Sequence, residues 1–201
     1  MRWVCAIVMS SITVSFSFAG EFNKVLSPGS AAPPFADLAG TDGKKHALAD
    51  WKETPVVVVV FTCNSCPVAN EYEDRINAFV RKHATGKDAK VALVAIDCNT
   101  GADESLAKMT ARGKKKKYTF PYLSDPSGKT AKAYGAKYTP EFFVLNKARK
   151  VVYLGAMDDH NYEPDAKVNF VEKAVEAALG GKSPEKAETL GRGCQIKFAR
   201  R

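Results

Sequence analysis

The chain has 201 residues, of which 45% are hydrophobic, 10% aromatic and 26% charged. This size predicts one domain with one substantial core, and the composition excludes wholesale disorder, collagen-like repetition and a multi-span membrane protein. The net charge of +8 is only a moderate excess, so we expect no nucleic-acid partner.

Residues 1–19 have the pattern of a signal peptide. Arg2 gives a positive start, the stretch from Trp3 to Phe18 is apolar or small, and Ala19 completes a small-x-small cleavage pattern. A membrane anchor is the alternative, but a span usually needs about 20 apolar residues, and serine and threonine dilute this stretch. We therefore expect cleavage after Ala19, export to the periplasm or another extracytoplasmic compartment, and no stable membrane span afterwards.

The rest of the chain divides into three parts. Residues 20–34 are rich in Ser, Pro, Gly and Ala, which is typical of a flexible arm. Residues 35–182 carry the apolar periodicity of a folded domain, and residues 183–201 form a C-terminal tail that contains Cys194.

A strand, a helix and a second strand follow one another in the first half of the domain. Val56–Phe61 is an unbroken apolar run, typical of a central strand buried on both faces. Apolar residues then recur at helical spacing from Val68 to about Lys82, and Val91–Ile96 is the next strand. This βαβ unit predicts parallel strands.

The second half of the domain contains shorter elements. We expect a helix from Asp103 to about Arg112 and then a solvated lysine loop over Lys114–Lys117. An extended segment over Phe120–Leu123 and a short helix over Thr130–Tyr134 follow. Phe142–Leu145 and Val151–Leu154 then form a hairpin. The last helix runs over Ala166–Leu179.

Cys63 and Cys66 form a Cys-x-x-Cys motif at the junction between the first strand and the first helix. A helix N-terminus carries unpaired N–H groups and a partial positive charge, which lower the pKa of a thiol placed there. Two intervening residues bring the second sulfur within one turn, where it can attack a mixed disulfide formed by the first. We therefore predict that Cys63 attacks and Cys66 resolves.

Several motifs in the chain resemble the thioredoxin superfamily. The match lies in Cys63–Pro67 after an apolar strand and in Tyr138–Pro140 before the hairpin. Gly29–Phe35 and Phe120–Asp125 resemble its redoxin branch, which includes peroxiredoxins of the alkyl hydroperoxide reductase and thiol-specific antioxidant type and TlpA-like exported thiol-disulfide oxidoreductases. The tail segment Gly193–Phe198 is similar to the end of a peroxiredoxin-like subgroup.

The resemblance implies an α/β thioredoxin fold: a central mixed β-sheet with helices on both faces, an N-terminal extension and a redoxin-type insertion. It also implies that Pro140 follows a cis peptide bond and faces the cysteine pair, while the backbone of Thr139 binds an extended substrate. The implied activity is thiol–disulfide exchange with protein or small-molecule thiols and disulfides, without a cofactor. An electron donor or acceptor is then required, and the sequence does not identify it.

A thiol peroxidase with antioxidant function is the first alternative. Peroxidatic cysteines lie in Pro-x-x-x-Thr-x-x-Cys, and neither cysteine of the pair fits this pattern. With Cys66 last, Val59 and Cys63 take the Pro and Thr positions, and with Cys63 last, Val56 and Val60 take them.

Two further alternatives involve no thiol catalysis. Cys63, Cys66 and the distant His160 could ligate copper or zinc, because thiolates and imidazole suit both metals. His160 is, however, more simply a surface loop residue, so no metal ligand is assigned. The cysteines could also merely close a turn in a redox-inert binding domain.

The two remaining cysteines of the predicted exported chain leave three interpretations open. Cys98 follows the second parallel strand and so reaches the same sheet edge as Cys63, although it could be a buried small hydrophobe. Cys194 lies in the tail. The two could form a structural disulfide, Cys194 could be a second redox thiol that serves the Cys63 pair, or it could remain a free thiol.

Overall fold

The computed structural model describes residues 20–161 and 165–199, so the predicted signal peptide lies outside the described residues. The described chain forms nine strands and four α-helices. In chain order they are β1 (Leu38–Gly40), β2 (Lys45–His46), β3 (Val56–Thr62), α1 (Pro67–His83), β4 (Val91–Asp97), α2 (Leu106–Lys116), β5 (Tyr122–Ser124), α3 (Lys129–Tyr134), β6 (Tyr138–Thr139), β7 (Glu141–Leu145), β8 (Val151–Gly155), α4 (Phe170–Leu179) and β9 (Cys194–Gln195).

Seven of these strands form one mixed sheet in the order β2-β1-β5-β4-β3-β7-β8. Strands β3, β4 and β5 are parallel, whereas β7 and β8 on one side and β1 and β2 on the other are antiparallel to their neighbours. A separate two-stranded sheet joins β6 to β9. The predicted mixed sheet, the parallel β3–β4 pair and the β7–β8 hairpin are confirmed.

The central position of β3 explains its unbroken apolar sequence. Successive side chains of a strand point to opposite faces, and the side chains of β3 enter two different core clusters in turn. Val56, Val58 and Val60 pack in the cluster that contains residues of α1 and α4. Val57, Val59 and Phe61 pack in the cluster that contains residues of α3. Helices therefore cover both faces of the sheet, as the resemblance implied.

The lysine run is helical rather than a loop. Helix α2 continues to Lys116 and ends at Lys117, which adopts a left-handed conformation with φ 57°. The buried Glu73 of α1 provides the physical reason, because its carboxylate pairs with Arg112 and, at 2.7 Å, with the Nζ of Lys116. These pairs offset part of the repulsion between neighbouring lysines and fix the last turn of α2 against α1.

The last helix begins four residues later than predicted, at Phe170 instead of Ala166. Asn169 caps it, since the Asn169 Oδ1 accepts a hydrogen bond from the backbone N–H of Glu172 at 2.9 Å. An asparagine at this position is a strong start signal for a helix.

The segment 20–34, expected to be a flexible arm, is packed against the domain. The Glu188 carboxylate accepts hydrogen bonds from three successive backbone N–H groups, those of residues 21–23. The side chain of Asn23 is buried and donates to the Tyr134 carbonyl, and Leu26 enters the second core cluster. These contacts come from the C-terminal part of the chain and from α3, so the composition of the segment alone did not reveal them.

The C-terminal tail is also part of the domain. Thr189 bonds to β8 through its backbone N–H, which donates to the Leu154 carbonyl at 3.0 Å. Further along, β9 pairs with β6, and the backbone N–H of Ile196 donates to the Lys137 carbonyl at 2.9 Å. Ile196 itself is buried in the second core cluster. The tail therefore runs from the edge of the sheet to the Cys-x-x-Cys motif.

Candidate active site

The cysteine pair lies where the sequence placed it, between the end of β3 and the start of α1. Both side chains are buried, with 3% of Cys63 and 2% of Cys66 exposed. They form a small cluster with Ala69 of α1, and Cys194 of the tail packs against it. The structure thus brings three of the four predicted cysteines together.

Cys66 is the N-cap residue of α1, and Pro67 is the first residue of the helix. The Cys66 sulfur accepts a hydrogen bond from the Ala69 N–H at 3.3 Å, which satisfies one of the free amides of the helix terminus. Interaction with the Cys63 thiol, with smaller contributions from the Cys194 thiol and the Ala69 amide, lowers the pKa of Cys66 to about 4. The helix-terminus argument made for Cys63 thus applies in the structure to Cys66.

Cys63 is the thiol of this pair whose pKa is raised. Its interaction with Cys66, together with burial, raises the pKa of the Cys63 thiol, and the negative charge of Glu104 acts in the same direction. The Thr139 hydroxyl opposes them, because its Oγ1 lies 3.4 Å from the Cys63 sulfur. The two sulfurs therefore share one proton and one negative charge.

Thr139 contacts both cysteines and is the residue before the cis peptide bond to Pro140. Its carbonyl oxygen lies 3.1 Å from the Cys66 sulfur and can accept the S–H of Cys66. Cys66 consequently has a partner in either charge state: the Ala69 amide for the thiolate and the Thr139 carbonyl for the thiol. The cis bond that the resemblance implied at Pro140 is confirmed.

A buried carboxylate holds the two residues between the cysteines. The Glu104 oxygens accept hydrogen bonds from the backbone N–H groups of Asn64 at 2.9 Å and Ser65 at 3.1 Å. The Asn64 side chain also donates to the Asp103 carbonyl at 2.7 Å. These contacts fix the loop and place a negative charge next to the backbone amides before the helix.

Asp97, the last residue of β4, lies beside Glu104 and completes this network. Burial, reinforced by its hydrogen bond to Glu104 and the Glu104 charge, raises the pKa of Asp97 to about 8. The Tyr122 hydroxyl reaches the Asp97 carboxyl at 3.2 Å and the Asn64 side-chain oxygen at 3.1 Å. The Asp97 carboxyl, which is protonated at neutral pH, therefore contacts the Glu104 and Tyr122 side chains that bond to the Cys-x-x-Cys loop.

Sequence reasoning missed Asp97, Glu104 and Tyr122. One signal could have found Asp97, because it ends a parallel strand and pairs in register with Thr62, immediately before Cys63. Polar residues at the carboxyl ends of parallel strands commonly line sites. No comparable signal marks Glu104, which lies on a short 3₁₀ turn over Ala102–Glu104.

Cys98 lies outside the thiol cluster. Its side chain is 1% exposed, packs in the second core cluster and faces the Asp125 carboxylate at 3.8 Å. Burial, with the Asp125 charge, raises the pKa of the Cys98 thiol. Cys98 and Cys194 are both free and pack in different clusters, so the structure favours the buried-hydrophobe interpretation of Cys98 over a disulfide between them.

His160 does not join the cysteines. Its carbonyl oxygen accepts hydrogen bonds from the buried Tyr72 and Arg75 side chains, and its ring Nδ1 lies 4.0 Å from the Asp165 carboxylate. Within residues 20–161 and 165–199, no group of three or more His, Cys, Asp and Glu side chains is arranged to hold a metal ion. The same residues contain no helix that is both long and apolar enough to cross a membrane.

The sheet order, the helices on both faces and the dithiol opposite a cis-proline loop together define a thioredoxin-fold protein. Residues 27–169 match the family model named Redoxin, and the chain belongs to that family. Membership supports a redox function at this general level. None of the curated proteins matches the chain.

Solved structures are similar to this chain in fold. A hypothetical protein from Sinorhizobium meliloti 1021 is 33% identical, with 88% of this chain and 97% of that chain covered and a TM-score of 0.80. An uncharacterized conserved protein from Geobacillus kaustophilus is 30% identical, with coverage of 87% and 94% and a TM-score of 0.79. A thiol-disulfide oxidoreductase from Bacteroides fragilis NCTC 9343, 18% identical with coverage of 62% and 89% and a TM-score of 0.53, shares the fold.

Proposed function

We propose that the protein is an exported thiol–disulfide oxidoreductase that exchanges the Cys63–Cys66 disulfide with protein or small-molecule thiols. The observation that carries the proposal is the position of Cys66, whose sulfur lies between the Ala69 amide and the Thr139 carbonyl and shares a proton with Cys63. A pair that can move one proton between its two sulfurs can present either a thiol or a thiolate to a disulfide.

In the reductive direction, Cys63 attacks a substrate disulfide. Its proton passes to Cys66, whose S–H the Thr139 carbonyl then accepts. A bond forms between the Cys63 sulfur and one substrate sulfur, and the other substrate sulfur leaves as a thiolate. Cys66 next loses its proton and attacks Cys63, which forms the Cys63–Cys66 disulfide and releases the second substrate thiolate. The electron pair passes from the protein dithiol to the substrate disulfide, and an external dithiol restores the reduced protein.

The sequence around the pair favours this activity over peroxide reduction. Neither Cys63 nor Cys66 lies in the Pro-x-x-x-Thr-x-x-Cys pattern of peroxidatic cysteines. Both activities use a thiolate, so the sequence pattern rather than the charge of the pair separates them. The peroxidase alternative is therefore the less favoured of the two.

A turnover assay tests the proposal. The purified protein is supplied with dithiothreitol and a self-quenched fluorescent glutathione disulfide, and the release of fluorescence is followed. Cys63→Ser and Cys66→Ser should each remove turnover, whereas Cys98→Ser should retain it, because Cys98 lies in a different cluster. Full turnover by Cys63→Ser would refute the proposal.

The roles of the two cysteines have a separate readout. Cys66→Ser removes the resolving thiol, so the substrate should accumulate as a mixed disulfide on Cys63, detectable as an increase in mass that dithiothreitol reverses. Accumulation on Cys66 in the Cys63→Ser protein, with none on Cys63 in the Cys66→Ser protein, would reverse the roles while leaving exchange by the pair intact.

Export is supported by the pattern of residues 1–19. The test is the N-terminal sequence of the protein recovered from the extracytoplasmic fraction of a bacterial host. Gly20 as the first residue is the expected result, and recovery only from the cytoplasm with an intact N-terminus would contradict it.

A further inference from the structure

Strand β9 of the tail crosses the thiol site. It pairs antiparallel with β6, so Cys194 lies opposite Thr139 and Gln195 lies opposite Tyr138. Thr139 is the residue that contacts both sulfurs of the pair. The tail thus occupies the backbone positions that an extended segment would need in order to reach the cysteines along this strand.

The contact between the tail and this strand depends on glycine. At Gly193 the backbone has φ 148°, and a Cβ would lie 2.0 Å from the Thr139 carbonyl oxygen. At Gly191 a Cβ would lie 2.8 Å from the Tyr138 ring. Only glycine allows the tail backbone to lie this close to Tyr138 and Thr139. This close backbone contact holds Cys194 beside the cysteine pair.

Cys194 interacts with the same helix terminus as Cys66. Its thiol interacts with the Cys66 sulfur and with the backbone N–H of Val68, the residue that follows Pro67 in α1. Burial, and then the interaction with Cys66, raise the pKa of Cys194, whereas the Val68 amide and the charge of Lys197 lower it. When Cys66 is in a disulfide it carries no negative charge, so its opposition to a Cys194 thiolate disappears.

We propose that Cys194 is a third redox-active thiol of the site and forms a disulfide with Cys66. This inference rests on the proposed function, because the oxidising equivalent is the Cys63–Cys66 disulfide. The Cys194 thiol gives its proton to solvent, and its sulfur attacks the Cys66 sulfur. A Cys66–Cys194 bond forms, the Cys63–Cys66 bond breaks, and Cys63 leaves as a thiolate that takes up a proton.

This exchange needs no external oxidant, since one disulfide replaces another within the same protein. The leaving Cys63 sulfur has the Thr139 hydroxyl 3.4 Å away as a donor. The result is a protein that remains oxidised between Cys66 and Cys194 while Cys63 is again a free thiol. The Cys63 thiolate can then attack an external disulfide without first opening the Cys63–Cys66 bond.

Tryptic peptides separate the two disulfides. Residues 53–75 contain both Cys63 and Cys66 in one peptide, whereas Cys194 lies in the peptide of residues 193–197. A Cys63–Cys66 bond is therefore internal to one peptide, and a bond to Cys194 joins two. The protein is equilibrated with oxidised glutathione, its free thiols are blocked with N-ethylmaleimide, and it is digested with trypsin at slightly acidic pH, where disulfide exchange is slow, and analysed by mass spectrometry.

The Cys63→Ser protein should contain the cross-linked peptides as its main oxidised product, and the wild-type protein should contain them beside the internal disulfide. Cys194→Ser should contain only the internal disulfide. Cys98→Ser, the matched control, should behave as the wild type does. The inference is overturned if the Cys63→Ser protein shows Cys66 and Cys194 both alkylated, or glutathione on Cys66 instead of the cross-link.

The same measurements distinguish this failure from failure of the proposed function. An internal Cys63–Cys66 disulfide in the wild type, with no cross-link in any variant, overturns the inference and leaves the proposed function standing. Absence of the Cys63–Cys66 disulfide, together with absence of glutathione-disulfide turnover, overturns the proposed function.

Discussion

Replacing Asp97 with Asn should change how the stability of the protein depends on pH. Asp97 is buried beside Glu104 under the Cys-x-x-Cys loop, and burial raises its pKa to about 8 from an ordinary value of 3.8. Between these two pKa values the folded protein binds a proton that the unfolded chain has lost. The free energy of unfolding therefore falls as pH rises through this window. Asparagine has nearly the same shape, mimics the protonated carboxyl and does not titrate.

The size of the effect follows from the pKa difference. Each pH unit within the window costs about 1.4 kcal/mol. Between about pH 6 and about pH 7.5, the wild type should thus lose about 2 kcal/mol of unfolding free energy relative to Asp97→Asn. The stabilisation from the protonated Asp97 carboxyl is fully present below the pKa that Asp97 has in the unfolded chain. It is lost as the pH rises through the pKa that Asp97 has in the folded protein. The thiols titrate in both proteins, so most of their contribution cancels in the comparison.

Urea unfolding at several pH values across this window measures the difference. Asp88→Asn is the matched control, because Asp88 is exposed in a loop and its replacement should leave the pH dependence as in the wild type. Parallel stability curves for the wild type and Asp97→Asn would refute the reasoning, since they would mean that Asp97 is ionised in the folded protein across the whole range.

Three further outcomes are expected. Gly193→Ala places a Cβ 2.0 Å from the Thr139 carbonyl oxygen, which should strain the contact by about 1–3 kcal/mol and release β9 from β6. The released tail should expose the site thiols, so that iodoacetamide alkylates them about tenfold faster or more. Gly181→Ala is the control, because Gly181 also has a positive φ but no atom lies within 4 Å of its Cβ position, and it should leave the alkylation rate unchanged. Equal alkylation rates in the two variants would contradict the close contact of the tail with β6. Because both cysteines are buried and neither lies in the peroxidatic sequence pattern, hydrogen peroxide should oxidise the reduced protein no faster than free cysteine in stopped-flow measurements. Rapid oxidation would instead favour the peroxidase alternative. Arg75→Met breaks the buried ion pair with Asp158, whose atoms lie 2.6 Å apart, and should lower the free energy of unfolding in urea by about 3–5 kcal/mol. Lys82→Met removes an exposed pair with Glu172 and should lower it by about 0–1 kcal/mol. Equal losses in the two variants would contradict the argument from burial.

The parts of the fold that the sequence predicted correctly are those with a local cause. The run Val56–Phe61 is apolar at every position because both faces of β3 are covered, and that requirement is visible without any knowledge of what covers them. Pro67 starts α1 because its missing N–H costs nothing there. The motif of Cys63 and Cys66 could therefore be placed on the correct strand and helix from sequence alone.

The start of α4 and the end of α2 were predicted wrongly for a different reason. The lysines of α2 have low apolar periodicity, and their helix is stabilised by Glu73 of α1, which is distant in sequence. For α4, the apolar periodicity did not mark the first residue, which the Asn169 cap decides. Helix ends depend on single hydrogen bonds, so periodicity locates them poorly.

What the sequence by itself determined is the position of the cysteine pair and the layered sheet that carries it, because both follow from short segments and their immediate neighbours. Only the tertiary structure decided which groups surround that pair. Glu104 reaches the amides of the motif from 40 residues away in sequence. Cys194 reaches Cys66 because the tail first packs along β8 and then pairs with β6. Such contacts depend on the path of the whole chain, and no local pattern encodes them. Sequence left three interpretations of Cys194 open, and only the folded protein showed its contact with the pair and the buried carboxyl network.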